Sequence, residues 1–128
     1  MSDPTIRSYR DLRVWQEGMA TAEACYRLTR QLPREELYGM TSQIRKASAS
    51  VPANIAEGHG RATRGEYIQF LRIAQGSVKE LETHLLLSSR VGLTKSSSVE
   101  PILMQCENLG KMLRALIRSL QRGLEENG

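Results

Sequence analysis

The chain has 128 residues, and 18 Lys and Arg against 14 Asp and Glu give it a formal charge of +4. This length fits one domain, and 40% hydrophobic residues are too many for a disordered chain. Uninterrupted apolar runs, such as Leu85–Leu87, are far shorter than the about 20 residues that a membrane-spanning helix needs. The N-terminus shows no signal peptide, so we expect a cytosolic protein without membrane contact.

The first predicted helix follows residues 1–8, which we expect to form a flexible tail. Apolar residues recur from Leu12 to Tyr26 at steps of three and four, which places one apolar stripe along a helix. Pro33 should end this helix, because the residue before a proline avoids helical angles. Gly18 lies inside the pattern, where a glycine lowers helix stability by about 1 kcal/mol relative to alanine. Its presence indicates either tolerated variation or a close backbone approach.

The second predicted helix carries the same repeat from Leu37 to Val51. Pro52 follows inside the pattern, where it cannot donate a backbone hydrogen bond and should clash with the carbonyl of Ser48. We therefore expect the second helix to be kinked at Pro52, or a new short helix to start there.

Two polar residues follow that proline. The apolar repeat continues onto Asn54, and a buried amide at this position costs free energy unless it is hydrogen-bonded. Alternatively, a kink at Pro52 would turn Asn54 toward solvent. Glu57 comes just after the expected kink, and we interpret it as the partner in a hydrogen bond at a helix end or between helices.

The third predicted helix shows the repeat from Tyr67 to Leu85. Thr63 could cap its start, with Glu66 as the capping-box partner three residues later. Gly92 suits the position just after its end, where a left-handed backbone is common.

The fourth predicted helix carries the repeat from Val99 to Leu120, with Ser96, Ser97 or Ser98 as its cap. Residues 123–128 should form a second flexible tail. Because all connections are short, neighbouring helices should run antiparallel. The sequence therefore predicts an all-α, up-down-up-down antiparallel four-helix bundle over residues 9–122.

More apolar surface is present than one stripe per helix requires. The fourth helix adds Leu103, Ile117 and Leu124, and the third adds Phe70, Ile73 and Leu86, with Ile68 beside them. This surplus predicts either a subunit interface or a wider core. Glycines inside the helical patterns also indicate close backbone approach, either inside the bundle or between subunits. Our candidates for structural or subunit contacts are Gly39, Pro52, Asn54, Glu57, Gly76 and Gly110.

Catalytic and metal-binding patterns are missing from the sequence. Glu80 and His84 lie four residues apart, but the Glu-x-x-His spacing of di-iron bundles fails. Cys25 and Cys106 are far apart in sequence, and we interpret both as reduced apolar residues. We predict no catalytic residue, no metal site, no cofactor and no enzyme activity.

The basic residues carry more information, since Arg outnumbers Lys fourteen to four and Arg suits bidentate contacts to phosphate. Lys111, Arg114, Arg118 and Arg122 step along one face of the fourth helix, which indicates a phosphate-binding stripe or a solvated face partly paired with acids. The candidate nucleic-acid contacts are Arg45, Lys46, Arg61, Arg64, Arg72, Lys111, Arg114, Arg118 and Arg122.

Five ordered motifs resemble a bacterial four-helix-bundle family named for the intervening sequences of large-subunit ribosomal RNA genes. The resemblance covers about residues 8–121. The motifs are YRDLxVWQ at 9–16, YGMTSQIRKA at 38–47, SVPANIAEG at 50–58, EYIQFLxIAxGS at 66–77 and ELET at 80–83.

This resemblance implies a cytosolic homopentamer and lends no catalytic residues. It also implies kinship with the accessory protein of diversity-generating retroelements, a basic pentameric ring that binds nucleic acid and a reverse transcriptase. The expected partners are therefore further copies of the chain, RNA or DNA, and a reverse transcriptase or another protein. A scaffold that binds only protein is the alternative.

Overall fold

A computed structural model describes residues 5–127, which form four α-helices and two single turns of 3₁₀ helix. Each α-helix packs against its neighbours in sequence, and the last returns to pack against the first. With short connections this is an up-down-up-down four-helix bundle, as the apolar repeats predicted. Among the helices of residues 5–127 there is no candidate for a membrane span. The helices are α1 (Arg13–Thr29), α2 (Met40–His59), α3 (Arg64–Arg90) and α4 (Ser96–Asn127), and the 3₁₀ turns are Tyr9–Asp11 and Arg34–Glu36.

The core is a single apolar cluster to which all four helices contribute. It takes up the predicted stripes of α3 and α4 and most of that of α2, and also Ile68 and Ile117, so part of the surplus apolar surface belongs to a wider core. The predicted stripe of α1 is displaced, because this helix buries Val14, Cys25 and Leu28 while Met19 and Tyr26 are exposed. Ile73, Leu86 and Leu124 remain exposed. The largest fully buried side chains are Ile44, Ile55, Leu71, Leu81, Leu85, Leu109 and Leu113.

Both predicted end residues of α3 are confirmed, but of the expected capping box only the bond to the Thr63 side chain is present. The backbone N–H of Glu66 donates to the Thr63 hydroxyl at 3.1 Å. At the other end Gly92 has φ of 81°, which L side chains rarely adopt, and the N–H of Leu93 donates to the carbonyl of Ser88 at 2.9 Å. This pattern is a Schellman motif, and it satisfies carbonyls that the helix itself leaves without a partner.

The start of α2 differs from the prediction, because Gly39 precedes the helix and does not lie inside it. The Glu36 carboxylate accepts a hydrogen bond from the Met40 N–H at 3.1 Å. A Cβ at Gly39 would approach that same carboxylate oxygen to 2.9 Å. Gly39 therefore leaves room for an acidic cap at a helix N-terminus, where negative charge is stabilising.

The predicted serine cap of α4 is wrong, because the helix begins at Ser96 and all three serines lie in its first turn. The N–H groups of Ser98 and Val99 donate to the carbonyl of Lys95.

The predicted tails lie partly outside the described residues, which begin at Thr5 and end at Asn127. The N–H of Ser8 donates to the Asp11 carboxylate at 3.2 Å, so the first 3₁₀ turn is capped. At the other end α4 continues past the expected boundary at residue 122. The flexibility of the tails stays a prediction.

Pro52 lies within one continuous helix, so the alternative of a new helix starting there is wrong. The proline is buried against α1, where a Cβ at Gly18 would lie 3.5 Å from the Pro52 Cβ. Gly18 thus marks a close approach inside the bundle. The kink at Pro52 stays a prediction from its missing N–H.

Asn54 is half-buried and paired. Its Nδ2 donates to the carbonyl of Ser50 at 2.8 Å and to the Ser50 hydroxyl at 3.0 Å. That hydroxyl lies 2.8 Å from the hydroxyl of Ser77 on α3. The amide therefore supports a polar contact between α2 and α3 and does not turn out to solvent.

Gly58 marks a second close approach, which the sequence analysis did not single out. A Cβ there would lie 2.8 Å from the Phe70 Cβ and 3.2 Å from the Tyr67 carbonyl oxygen. A Cβ at Gly76, by contrast, would meet nothing within 4 Å. The two glycines therefore stand in opposite environments.

We expect Gly58→Ala to lower the free energy of unfolding by about 1–3 kcal/mol, because overpacking forces neighbours apart. Gly76→Ala should raise it by up to about 1 kcal/mol, because alanine is the better helix former and has room. Urea denaturation followed by circular dichroism measures both. Equal shifts of one sign would contradict this assignment of the two sites.

Candidate nucleic-acid interface

The basic residues of α4 form one exposed stripe, as their spacing predicted. Lys111, Arg114, Arg118 and Arg122 are all exposed, and they follow one another along a side of α4 that is turned away from the core. The Lys111 ammonium lies 3.8 Å from the Glu107 carboxylate, an exposed pair that contributes little to stability. We call these four residues the α4 stripe.

A groove of about 360 Å³ between α3 and α4 brings basic residues of the two helices together. Arg72 and Lys79 line it from α3, and Arg114 lines it from α4. Its floor contains Gly76 and Gly110, and a Cβ at Gly110 would meet only the tip of Arg114, at 3.7 Å. Internal packing therefore does not require these two glycines, and they leave the floor free of side chains.

Arg64, the first residue of α3, lies at the far end of the same side. A Cβ at Gly123 would collide with its guanidinium, so Arg64 lies directly against the backbone of α4. Gly123 follows Arg122 in the chain. The fold therefore joins Arg64 and Arg72 to the α4 stripe, although they are far from it in sequence.

Arg61 and Glu57 pair with each other at the end of α2. The Arg61 Nη2 lies 2.8 Å from the Glu57 Oε1, and its guanidinium lies 4.6 Å from the centroid of the Phe70 ring. Arg61 thus packs on the α2–α3 junction, and Glu57 is its partner at the helix end. Both side chains are exposed, so the ion pair adds little stability.

Arg45 is held in a contact between helices, and its assignment as a nucleic-acid contact stays a prediction. Its Nε donates to the Thr29 hydroxyl at 2.8 Å, and its guanidinium lies 4.8 Å from the centroid of the Tyr26 ring. It is half-buried and joins α2 to α1. Its neighbour Lys46 is exposed on α2, diagonally across the bundle from α4, so neither residue joins the α4 stripe.

Sequence reasoning missed an apolar groove of about 500 Å³ between α1 and α2. Trp15, Met19 and Tyr26 line one wall, and Ala49 and Ala53 lie on the α2 side. Three of these residues belong to the stripe that predicted α1. The apolar repeat alone does not distinguish buried residues from those at the solvent-exposed edge of the apolar face, where these three lie.

The buried thiols are poor nucleophiles. Burial raises the pKa of Cys25 and that of Cys106 to about 12, and it does the same for the Tyr67 hydroxyl. Within residues 5–127, no group of three His, Cys, Asp or Glu side chains could hold a metal ion. Glu80 and His84 line a shallow groove between α2 and α3 together with Leu87.

We expect Arg45→Ala to lower the free energy of unfolding by about 1–3 kcal/mol, because it removes a charged hydrogen bond and a stacking contact. Lys46→Ala, the neighbouring exposed change, should stay within about 0.5 kcal/mol of the wild type. Thermal and urea denaturation measure both. A stable Arg45→Ala protein would argue against the structural role.

Ellman's reagent at pH 8 should label neither cysteine of the folded protein and both in denaturant. The ordinary thiol pKa of 9.0 applies to the unfolded chain, which therefore loses protons before the folded one. The thiols' contribution to stability is present below pH 9 and is lost as pH rises from 9 toward 12. Rapid labelling without denaturant would contradict their burial.

Comparison with known proteins identifies a family and a structural neighbour. The model of the 23S rRNA-intervening sequence protein family matches residues 10–115. A crystal structure of a protein of unknown function from the S23 ribosomal protein family of Bacteroides thetaiotaomicron has a TM-score of 0.76 and 27% sequence identity. The match covers 81% of this chain and 97% of that chain. None of the curated proteins matches the chain.

Proposed function

Because the chain belongs to the 23S rRNA-intervening sequence protein family, we propose that it is a non-catalytic homopentameric bundle that associates with nucleic acid. The observation that carries this proposal is the convergence of basic residues from two helices on one side of the fold. Arg72 and Arg114 line one groove, while Arg118, Arg122 and Arg64 continue the charge toward one end of the bundle.

Phosphate is the ligand that this side suits best. Guanidinium groups donate in pairs to phosphate oxygens and remain charged at every physiological pH. On this side of the bundle, the exposed Glu107 pairs with Lys111 at 3.8 Å. Glu107 does not line the groove that contains Arg72 and Arg114. Positive charge therefore dominates the stretch from Arg114 to Arg122.

Assembly would strengthen this attraction. Five copies at +4 each give a formal charge of 5 × 4, or +20, on one particle. Repeated binding sites on one particle bind a long polyanion with an avidity beyond that of one subunit. The exposed apolar residues Met104, Leu86 and Ile73 support an oligomer, since they lie on the surface of the single chain.

A protein scaffold without a nucleic-acid role is the second candidate. The apolar groove between α1 and α2 favours it, because an exposed groove that contains Trp15 and Tyr26 suits a protein ligand. The family description names 23S rRNA, so RNA is the first nucleic acid that we would test.

The test is fluorescence anisotropy with a 23S rRNA fragment, single-stranded RNA and duplex DNA across a salt series. The wild type should bind at sub-micromolar Kd near 150 mM salt, with a slope of log affinity against log salt of several units. Arg114→Ala with Arg118→Ala should weaken binding and reduce the slope by about 0.7–0.9 for each phosphate that the variant no longer neutralises.

The matched control is Arg34→Ala with Arg90→Ala, which removes the same charge from exposed positions at the other end of the bundle. This control should bind as the wild type does. Equal weakening by both double variants would point to net charge rather than the stripe. A flat response of the wild type would overturn the nucleic-acid role and leave the scaffold.

A further inference from the structure

The groove between α1 and α2, here the α1–α2 groove, has the dimensions of a seat for a third helix. Its lining residues on the α1 side are spaced so that they share one face of the helix. From Trp15 to Arg30 this face extends about 22 Å, at about 1.5 Å per residue, which is the length of about four helical turns. The residues are Trp15, Met19, Ala22, Glu23, Tyr26, Arg27 and Arg30.

The α2 side of the groove consists of small residues. Ala49 and Ala53 lie one turn apart, and both are exposed. Pro52, between them in sequence, is buried against Gly18 of α1 and closes the floor. Packed helices lie about 8–10 Å apart, at a distance that depends on the side chains at the contact. A helix in this groove can therefore approach the backbone of α2 closely.

The wall opposite these alanines carries side chains that are typical of protein interfaces. Met19 is 38% exposed and Tyr26 is 39% exposed, while Trp15 is half-buried. Trp, Tyr, Met and Arg are enriched where proteins meet, and Trp, Tyr and Arg contribute most to binding. The Arg45 guanidinium lies 4.8 Å from the Tyr26 ring centroid, and its Nε donates to the Thr29 hydroxyl. These contacts order the wall before a partner arrives, which lowers the entropic cost of binding.

Positive charge collects at one end of the α1–α2 groove. Arg27 and Arg30 line this end and are exposed. Lys46 is also exposed, on the part of α2 that lies beside the end of α1. Among the described residues that line the groove, Glu23 is the one carboxylate. The other end, which contains Trp15, has no charged residue among those lining residues.

This polarity distinguishes the groove from the α4 stripe. In the groove, cations occupy one end of an apolar trough, whereas in the stripe they follow one another along the helix. A nucleic-acid strand in the groove would place phosphates over Met19, Ala49 and Ala53, whose side chains offer no hydrogen-bond donor. A helix with one apolar face and carboxylates at one end matches both parts of the groove.

We propose that the α1–α2 groove binds an acidic amphipathic helix of a partner protein. The apolar face of that helix packs between the alanines of α2 and the wall that contains Trp15 and Tyr26, as in other helix-in-groove complexes. Its carboxylates pair with Arg27 and Arg30. This inference goes beyond the proposed function, because the groove and the α4 stripe lie on different helices and can be occupied at the same time.

The probe is a fluorescein-labelled amphipathic peptide of about four helical turns, built from Leu, Ala and Gln with glutamates toward one end. A second peptide carries lysines in place of the glutamates. Fluorescence anisotropy should show that the wild type binds the acidic peptide about tenfold more tightly than the basic one, or by a larger factor. Equal affinity for both peptides, or no binding of the acidic one, would overturn the proposal.

Variants of the charged residues locate the bound peptide. Arg27→Ala with Arg30→Ala should weaken binding of the acidic peptide about tenfold. Glu23→Gln should tighten it, because this change removes a carboxylate that repels the peptide. The matched control is Arg90→Ala with Lys95→Ala, which removes the same charge from exposed positions outside the groove and should bind as the wild type does. Equal weakening by both double variants would show attraction to net charge alone and overturn the site.

A second pair of variants tests the apolar floor at constant charge. Ala49→Gln with Ala53→Gln fills the floor and should weaken binding of the acidic peptide. Ala62→Gln with Ala115→Gln makes the same change outside the groove and should have no effect on binding. All four positions are exposed, so both proteins should fold, which circular dichroism checks. A floor variant that binds the peptide as the wild type does would contradict docking in the groove.

Two further measurements distinguish other occupants. Light scattering should give the floor variant the wild-type mass, and a lower mass would assign the groove to contacts between copies and overturn the partner helix. A short single-stranded RNA should leave the acidic peptide bound, and displacement would assign the groove to nucleic acid. Failure of peptide binding leaves the α4 stripe untouched, since anisotropy with RNA tests that stripe separately.

Discussion

Burial of one apolar stripe per helix is the constraint on which the rest of the structure depends. Each stripe must face the shared core, and this requirement sets the rotation of every helix about its own axis. On α4, burial of Leu109 and Leu113 turns Arg114 and Arg118 outward. The charged stripe is thus a consequence of core packing, and its position cannot change unless the core changes with it.

The apolar repeats were enough to predict four helices, their order and most of the core, because periodicity records which face of a helix is buried. Periodicity does not record how far one helix is shifted along another. The contacts of Gly58 with Phe70, and of Arg45 with Thr29, depend on that shift, so no sequence pattern indicates them. The acidic cap at Gly39 was missed for a related reason, since it depends on a 3₁₀ turn that has no apolar pattern.

The candidate interface was predictable only where it lies on one helix. The spacing along α4 was sufficient to place Arg114, Arg118 and Arg122 on one face. Arg64 and Arg72 join them through the antiparallel packing of α3 against α4, which depends on three-dimensional structure. Arg45 shows the converse case, because an arginine near others in sequence can be held in a contact between helices.

The glycine floor of the groove between α3 and α4 has a consequence for recognition. A nucleic-acid strand bound there as proposed would meet peptide backbone at Gly76 and Gly110, which offer no side chain to a base edge. At the sides it would meet the Gln75 amide and the cations of Arg72, Lys79 and Arg114. Contacts of this kind fix the path of a phosphate chain and carry no direct information about its bases. At its floor such a groove would sort ligands by backbone charge and width, and any reading of base edges would fall to Gln75 and the guanidinium groups at its sides.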